Sequence, residues 1–179
     1  MKTLVIVAHP SLEQSRANAA LIQELNQYDN IDFHYLYGEY PDLNIDIERE
    51  QQLLIKYDRI VLQFPMYWYS TPPLFKKWLD EVWLYGWAFG SGGDHLKGKE
   101  FIVATTVGGR KQDYLSSGRF EFTVNEFLRP IEVTIKYTDA IYLPPFVSYD
   151  ALEATDEQLK SEAAKYVEHI RASAESLMN

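Results

Sequence analysis

Between His9 and Asn18 the chain reads His9-Pro10-Ser11-Leu12-Glu13-Gln14-Ser15-Arg16-Ala17-Asn18, which gathers hydroxyl, amide and guanidinium donors in one short stretch. Apolar residues at helical spacing follow at once, namely Ala17, Ala20, Leu21 and Leu25. Donors at a helix amino terminus stand beside free backbone amides and the positive end of the macrodipole, a setting that suits an anion such as phosphate. A capped polar turn would use the same residues. A second unusual stretch is Pro65-Met66-Tyr67-Trp68-Tyr69, followed by Ser70-Thr71-Pro72-Pro73. Three consecutive aromatics at a strand end cannot all enter a core. A planar heteroaromatic ligand stacked among them and held by backbone amides accounts for them. An apolar plug under a loop, or a subunit interface, accounts for them too. A third stretch, Thr105-Thr106-Val107-Gly108-Gly109, ends an apolar run. Paired glycines let backbone amides approach a ligand closely, and a simple tight turn is the plainer use. Tyr114, five residues on, could donate to developing negative charge.

The elements that must position these stretches are legible from periodicity. Thr3 to Ala8 is a continuous aliphatic and β-branched run, the pattern of a strand buried on both faces. Ser15 suits the cap of the helix that follows. Ile31 to Leu36 alternates as a second strand, and Glu48 to Tyr57 is a helix with Asp46 as its cap. Arg59 to Phe64 is a third strand, stopped by Pro65. Pro72 and Pro73 open a helix whose apolar face carries Phe75, Trp78, Leu79, Val82 and Trp83. Phe101 to Thr106 is a fourth strand, and Ala140 to Leu143 a fifth, closed by Pro144-Pro145. Thr155 with Gln158 forms a capping box that opens a terminal helix with Leu159, Ala163, Tyr166, Ile170 and Leu177 inward. Strands alternating with helices imply an α/β doubly wound parallel sheet, and 179 residues suit one domain over 1–179. On such sheets ligands bind outside the carboxyl ends of the strands, where the three stretches fall.

Composition narrows the chemistry. There is no cysteine, which excludes disulfides, iron–sulfur clusters and thiol nucleophiles and fits the cytoplasm. The 17 basic and 26 acidic residues give a net charge of −9, with no basic footprint for a nucleic acid. Leu4 to Ala8 is far too short for a signal core, and no membrane insertion is expected. The segment Gly93 to Glu100 nearly spells a nucleotide phosphate loop. It has Glu100 where a hydroxyl is needed, and it precedes a strand instead of following one. The histidines at 9, 34, 95 and 169 lack metal-ligand spacing, and His34 and His169 are expected at the surface. No metal and no hydrolytic triad is assigned.

Taken in order, six segments resemble the flavodoxin-like quinone reductases. They are Ala8-His9-Pro10, Ser15 to Asn18, Tyr40 to Asp46, Pro65 to Tyr69, Gly86 to Gly90 and Thr106 to Gly109. The resemblance spans nearly the whole chain. It is nearest to the small bacterial members that accompany glutathione-gated potassium-efflux antiporters, and to general-stress quinone reductases. It implies a flavodoxin-like three-layer sandwich around a five-stranded parallel sheet of order 2-1-3-4-5. It implies a noncovalent flavin, FAD in larger animal members and FMN in small bacterial ones such as this chain resembles. His9, Ser15, Arg16, Ala17 and Asn18 would hold its phosphate. Met66, Tyr67, Trp68 and Tyr69 would run along the ribityl chain and ring edge. Thr106, Val107, Gly108 and Gly109 would approach the pyrimidine side.

The activity implied is two-electron transfer from NADPH or NADH through FMN to a quinone, with Gly108, Gly109 and Tyr114 at the charge that develops. A homodimer is implied, with the aromatic segment Trp78 to Phe89 as a candidate interface and burial in the chain's own core as its other reading. A regulatory role on a potassium-efflux antiporter is the alternative function, and would place the chain at the inner face of the membrane through that partner. Two departures stand out. Larger relatives carry a histidine six residues after the tyrosine that matches Tyr114; here Phe120 stands there, beside Gly118 and Arg119. Val107 replaces a commoner glycine.

Overall fold

The computed structural model describes residues 1–179. Strand β1 (Thr3–Val7) is buried throughout and sits between β2 (Ile31–Tyr35) and β3 (Arg59–Pro65), parallel to both. Then β3 pairs with β4 (Glu100–Thr106), and with β5 (Ile141–Tyr142) the order across the sheet is β2-β1-β3-β4-β5. Successive side chains of a strand point to opposite faces. Leu4, Ile6, Ile60 and Leu62 therefore join one core, under α3 (Ile47–Leu54), α4 (Pro73–Val82) and α6 (Arg129–Tyr137). Val5, Val7, Val61 and Ile102 join the other, under α1 (Arg16–Leu25) and α7 (Asp156–Arg171). Helices on both faces of a parallel sheet give the doubly wound sandwich expected.

The fifth strand differs from its expectation. Pro144 and Pro145 do not close the sheet. They split its last position into β5 (Ile141–Tyr142) and β6 (Phe146–Ser148), both paired with β4. Proline has no N–H to give the ladder, so pairing stops at the two prolines and resumes beyond them. The terminal helix also breaks. It ends at Ala172, Ser173 caps a short α8 (Ala174–Met178), and Leu177 packs from there. Two short helices, α2 (Leu36–Glu39) and α5 (Val124–Phe127), had no counterpart in the sequence reading, nor did α6. Thr123 and Glu126 form a capping box at α5, and Pro130 stands in the first turn of α6, so both starts carried a readable signal.

Buried polar groups tie the layers together. His34 was expected at the surface; it is buried, because β2 turns it under α3 onto Glu50. His169 is half-buried and meets the Pro144 carbonyl at 2.8 Å. Arg59, fully buried, donates to Glu100 at 2.7 Å and to the carbonyls of Ile170 and Ala172, which pins the start of β3 to the end of α7. The aromatic segment Trp78 to Phe89 mostly fills this chain's own core. Trp78, Leu79, Val82, Trp83 and Ala88 are buried, and Leu84 and Tyr85 stand exposed. The reason is helical spacing: α4 lies on the sheet and carries its apolar stripe inward.

Candidate functional site

A cleft of about 480 Å³ opens at the carboxyl ends of β1, β3 and β4. His9, Ser15, Arg16, Ala17 and Asn18 line it from the first loop, Met66 and Tyr67 from the second, and Thr106 and Gly108 from the third. A fourth contributor, Ala151 and Leu152 after β6, is not among the residues expected from the sequence. The apolar run Phe146-Val147-Ser148 beyond the prolines was its one available signal.

Each loop leaves backbone amides without a partner in the chain. At the start of α1 these are Arg16 and Ala17. Ser15 caps the helix by accepting from the Asn18 N–H at 3.3 Å. In the third loop the amides of Gly108 and Gly109 are unpaired. That loop is held from behind, since Val107 donates to the Ser148 carbonyl, Asp150 to that of Gly109 and Ala151 to that of Val107. Neither glycine has a positive φ. Room is what Gly109 supplies: a Cβ there would stand 3.0 Å from the Tyr114 ring. Tyr114 is thereby brought against the loop, with Phe120 packed on it at 4.8 Å between ring centroids. Tyr69 meets Phe120 at 5.5 Å and Phe127 at 5.0 Å, which closes an aromatic wall. Arg119 lies 5.6 Å from the centre of the Phe120 ring.

The second loop is a two-residue turn. Tyr67 and Ser70 exchange both backbone hydrogen bonds, and the two residues between them, Trp68 and Tyr69, have φ of 47° and 61°. A turn with both central residues left-handed suits Asn-Gly, not two bulky aromatics. The amides of Trp68 and Tyr69 have no partner in the chain, and Trp68 is 93% exposed. Trp68→Asn should therefore raise the unfolding free energy by about 1 kcal/mol, the order of cost of one strained residue. Urea denaturation checks this; a loss of stability would mean that Trp68 packs in a way its exposure does not show.

Charge in the cleft is modest. Burial lowers the His9 pKa, with Glu13 opposing, so its imidazole is neutral at pH 7. Its Nδ1 accepts from the Ser11 N–H at 3.0 Å, which leaves Nε2–H as a donor. The Arg16 guanidinium bonds Asp156 on α7 at 2.5 Å. Asn18 lines the cleft but is only 1% exposed, and its side chain is bonded to Ser15, Thr106 and Gln63. Burial raises the Tyr114 phenol above its ordinary value, with Tyr69, Asp113 and Tyr149 adding to it. It is protonated at neutral pH and available as a donor.

The arrangement is a rim of unpaired donors at an α/β switch point, beside an aromatic wall, the architecture of a nucleotide cofactor site. The chain belongs to the family described as having a flavodoxin-like fold, which matches residues 1–170. It is 46% identical over 172 residues to the uncharacterized NAD(P)H oxidoreductase YrkL of Bacillus subtilis (strain 168), covering 96% of this chain and 99% of that protein. It is 37% identical over 169 residues to the glutathione-regulated potassium-efflux system ancillary protein KefF of Salmonella arizonae, covering 94% and 95%. Two solved structures share the fold closely. General stress protein 14 from Treponema denticola, in complex with FMN, has a TM-score of 0.91 at 40% identity, covering 99% of both chains. An NADPH-quinone reductase from P. pentosaceus has a TM-score of 0.88 at 31% identity, covering 97% and 99%.

Proposed function

We propose that this chain is an FMN-dependent NAD(P)H:quinone oxidoreductase. The observation that carries the reading is the convergence of three loops with unpaired amides on one cleft: Arg16, Ala17 and Gly108 line it, and Trp68, Tyr69 and Gly109 follow Tyr67 and Gly108 in the same loops. These donors and the aromatic wall fit a phosphorylated heteroaromatic group. The FMN held by the Treponema relative and the names of the Bacillus and P. pentosaceus proteins support it.

The α1 amides, Ser15 and His9 would hold the phosphate, with Arg16 turned to Asp156 at its edge. Met66, Tyr67, Trp68 and Tyr69 would follow the ribityl chain and the ring edge. Thr106, Val107, Gly108 and Gly109 would face the pyrimidine side. FMN, when bound, supplies two-electron oxidation of NAD(P)H and reduction of a quinone. The amides of Gly108 and Gly109 are fixed from behind by the loop after β6. They need not reorganise to meet negative charge, which is what makes such donors effective. Tyr114 adds an O–H beside them. Phe120 puts a ring in contact with that phenol where larger relatives carry a histidine, so the protein keeps water off the phenol instead of relaying a proton through it.

Flavin extraction from the purified protein, followed by menadione reduction with NADPH and NADH, tests the reading. A protein that neither retains nor takes up FMN overturns it. Tyr114→Phe should lower kcat by about tenfold or more with FMN affinity unchanged, as expected for a donor to charge formed in the reaction. An unaltered kcat in the flavin-loaded variant would remove Tyr114 from the catalytic set.

A homodimer belongs to the same proposal. Tyr85 and Tyr137 are each 70% exposed and both pack on Phe89, and Val133 is exposed one helical turn before Tyr137 on α6, an apolar surface suited to a partner copy. The similarity to the Salmonella ancillary protein favours a second, compatible reading, a regulatory subunit of a potassium-efflux antiporter. Co-purification with such an antiporter from membranes tests it. No helix is long and apolar enough to cross a membrane.

A further inference from the structure

Behind the cleft runs a line of buried hydrogen bonds. The Tyr166 hydroxyl, on α7, donates to Gln63 Oε1 on β3 at 2.9 Å. Gln63 Nε2 donates to Asn18 Oδ1 at 3.2 Å. Asn18 Nδ2 donates to Ser15 Oγ at 3.1 Å and to Thr106 Oγ1 at 3.0 Å. Tyr166 and Gln63 are fully buried and neither lines the cleft, whereas Ser15 and Thr106 do.

The direction of this line is set at its far end. Gln63 is the one partner of the Tyr166 hydroxyl. A phenol removed from water must donate its hydrogen, because a stranded buried donor is costly. The carbonyl end of Gln63 therefore faces Tyr166 and its NH₂ faces Asn18. Asn18 must then offer its oxygen to Gln63 and its NH₂ to the two hydroxyls. Ser15 Oγ also accepts the Asn18 backbone N–H. A serine oxygen has two lone pairs, and both are now filled. What Ser15 has left for the cleft is its hydrogen. With the amides reversed, Asn18 Oδ1 would draw in the hydrogens of Ser15 and Thr106, and lone pairs would face the anion.

We propose that Tyr166 and Gln63 are positioning residues that fix the Asn18 amide, so that Ser15 is a donor only toward the phosphate of a bound flavin nucleotide. This rests on the flavin reading above and deepens it. The device favours an ionised phosphate, which only accepts, over a hydroxyl, which also donates. It makes the site discriminate FMN from riboflavin by a group that touches neither.

The test titrates the apoprotein with FMN and with riboflavin and follows quenching of flavin fluorescence. Tyr166→Phe should raise the FMN Kd about tenfold and leave the riboflavin Kd within about twofold, the scale of one hydrogen bond to a charged group. Riboflavin binding also reports that the variant is folded. In a Ser15→Ala background, Tyr166→Phe should add less than about threefold, since its effect passes through Ser15. Equal losses for both flavins, an unchanged FMN Kd, or additive losses in the double variant would overturn the proposal. If Tyr166→Phe fails to bind riboflavin, Gln63→Met, which removes the amide and frees Asn18 to turn, faces the same expectations and the same overturning results. A wild-type protein that binds neither flavin would sink the flavin reading itself. Wild-type FMN binding with no selective loss in the variants would sink only this inference.

Discussion

Glu50→Ala should lower the unfolding free energy by about 3–5 kcal/mol, the cost of removing one partner from a buried charged cluster. Glu50 is on α3 and fully buried. Its carboxylate accepts from Tyr40 Oη at 2.6 Å and Trp78 Nε1 at 2.7 Å, and meets His34 Nε2 at 2.9 Å. Alanine would strand all three donors in the core that joins β2, α3 and α4. Burial alone would raise the Glu50 pKa. The hydrogen bonds from His34, Tyr40 and Trp78, with the His34 charge, outweigh it and hold the group below its ordinary 4.5. A carboxylate with a depressed folded-state pKa stabilises fully above its unfolded value and loses that contribution as pH falls through the folded value. The wild-type advantage over Glu50→Ala should therefore narrow in acid, below about pH 4.5. Urea titrations at a series of pH values measure it. A gap under about 1 kcal/mol at pH 7 would show that the cluster adds little to stability, as some buried ion pairs do. The consequence reaches the cleft, because α4 begins directly after the Tyr67–Ser70 turn and Leu74 N–H donates to the Tyr37 hydroxyl at 3.3 Å.

The same cluster shows where a sequence stops being legible. His34 alone on an alternating strand looks solvent-facing. Its burial depends on which face of β2 meets α3, and that is a register between segments, set by Thr3 pairing with Ile31. The central strands were readable because an unbroken run such as Leu4 to Ala8 has one stable place, between two layers of helices. The cap at Ser15 was readable because it is a local bond to Asn18. The three loops followed from them, since a ligand rim lies at the strand ends. The split at Pro144-Pro145 was not readable. A proline pair signals a stop, and whether the chain rejoins the sheet depends on the free edge of β4. The loop Ala151-Leu152 was lost with it. Asn18 shows a subtler limit. Its residue type suits a phosphate ligand, and only the presence of Gln63 and Thr106 beside it, from β3 and β4, ties its side chain into buried hydrogen bonds. The resemblance supplied the fold and the cofactor class.

Ser15→Asp separates holding the helix from holding an anion. Aspartate caps a helix about as well as serine, and its carboxylate can accept the Asn18 N–H as Ser15 Oγ does. The melting temperature should hold. The carboxylate would also take the electrostatic benefit of the unpaired Arg16 and Ala17 amides for itself. A phosphate brought to within about 4 Å of it meets a repulsion of about 4 kcal/mol per unit charge at the dielectric typical of a partly exposed site. FMN affinity should fall by about a hundredfold or more at low salt, and the loss should shrink as added salt screens the pair. Riboflavin, without the phosphate, should bind as it does to the wild type. Because the cap survives and the second ligand is uncharged, a selective loss of FMN points to the head of α1, and its dependence on salt separates repulsion by the carboxylate from the loss of the Ser15 hydroxyl donor. FMN binding that is unaltered in Ser15→Asp would place the phosphate elsewhere on the rim.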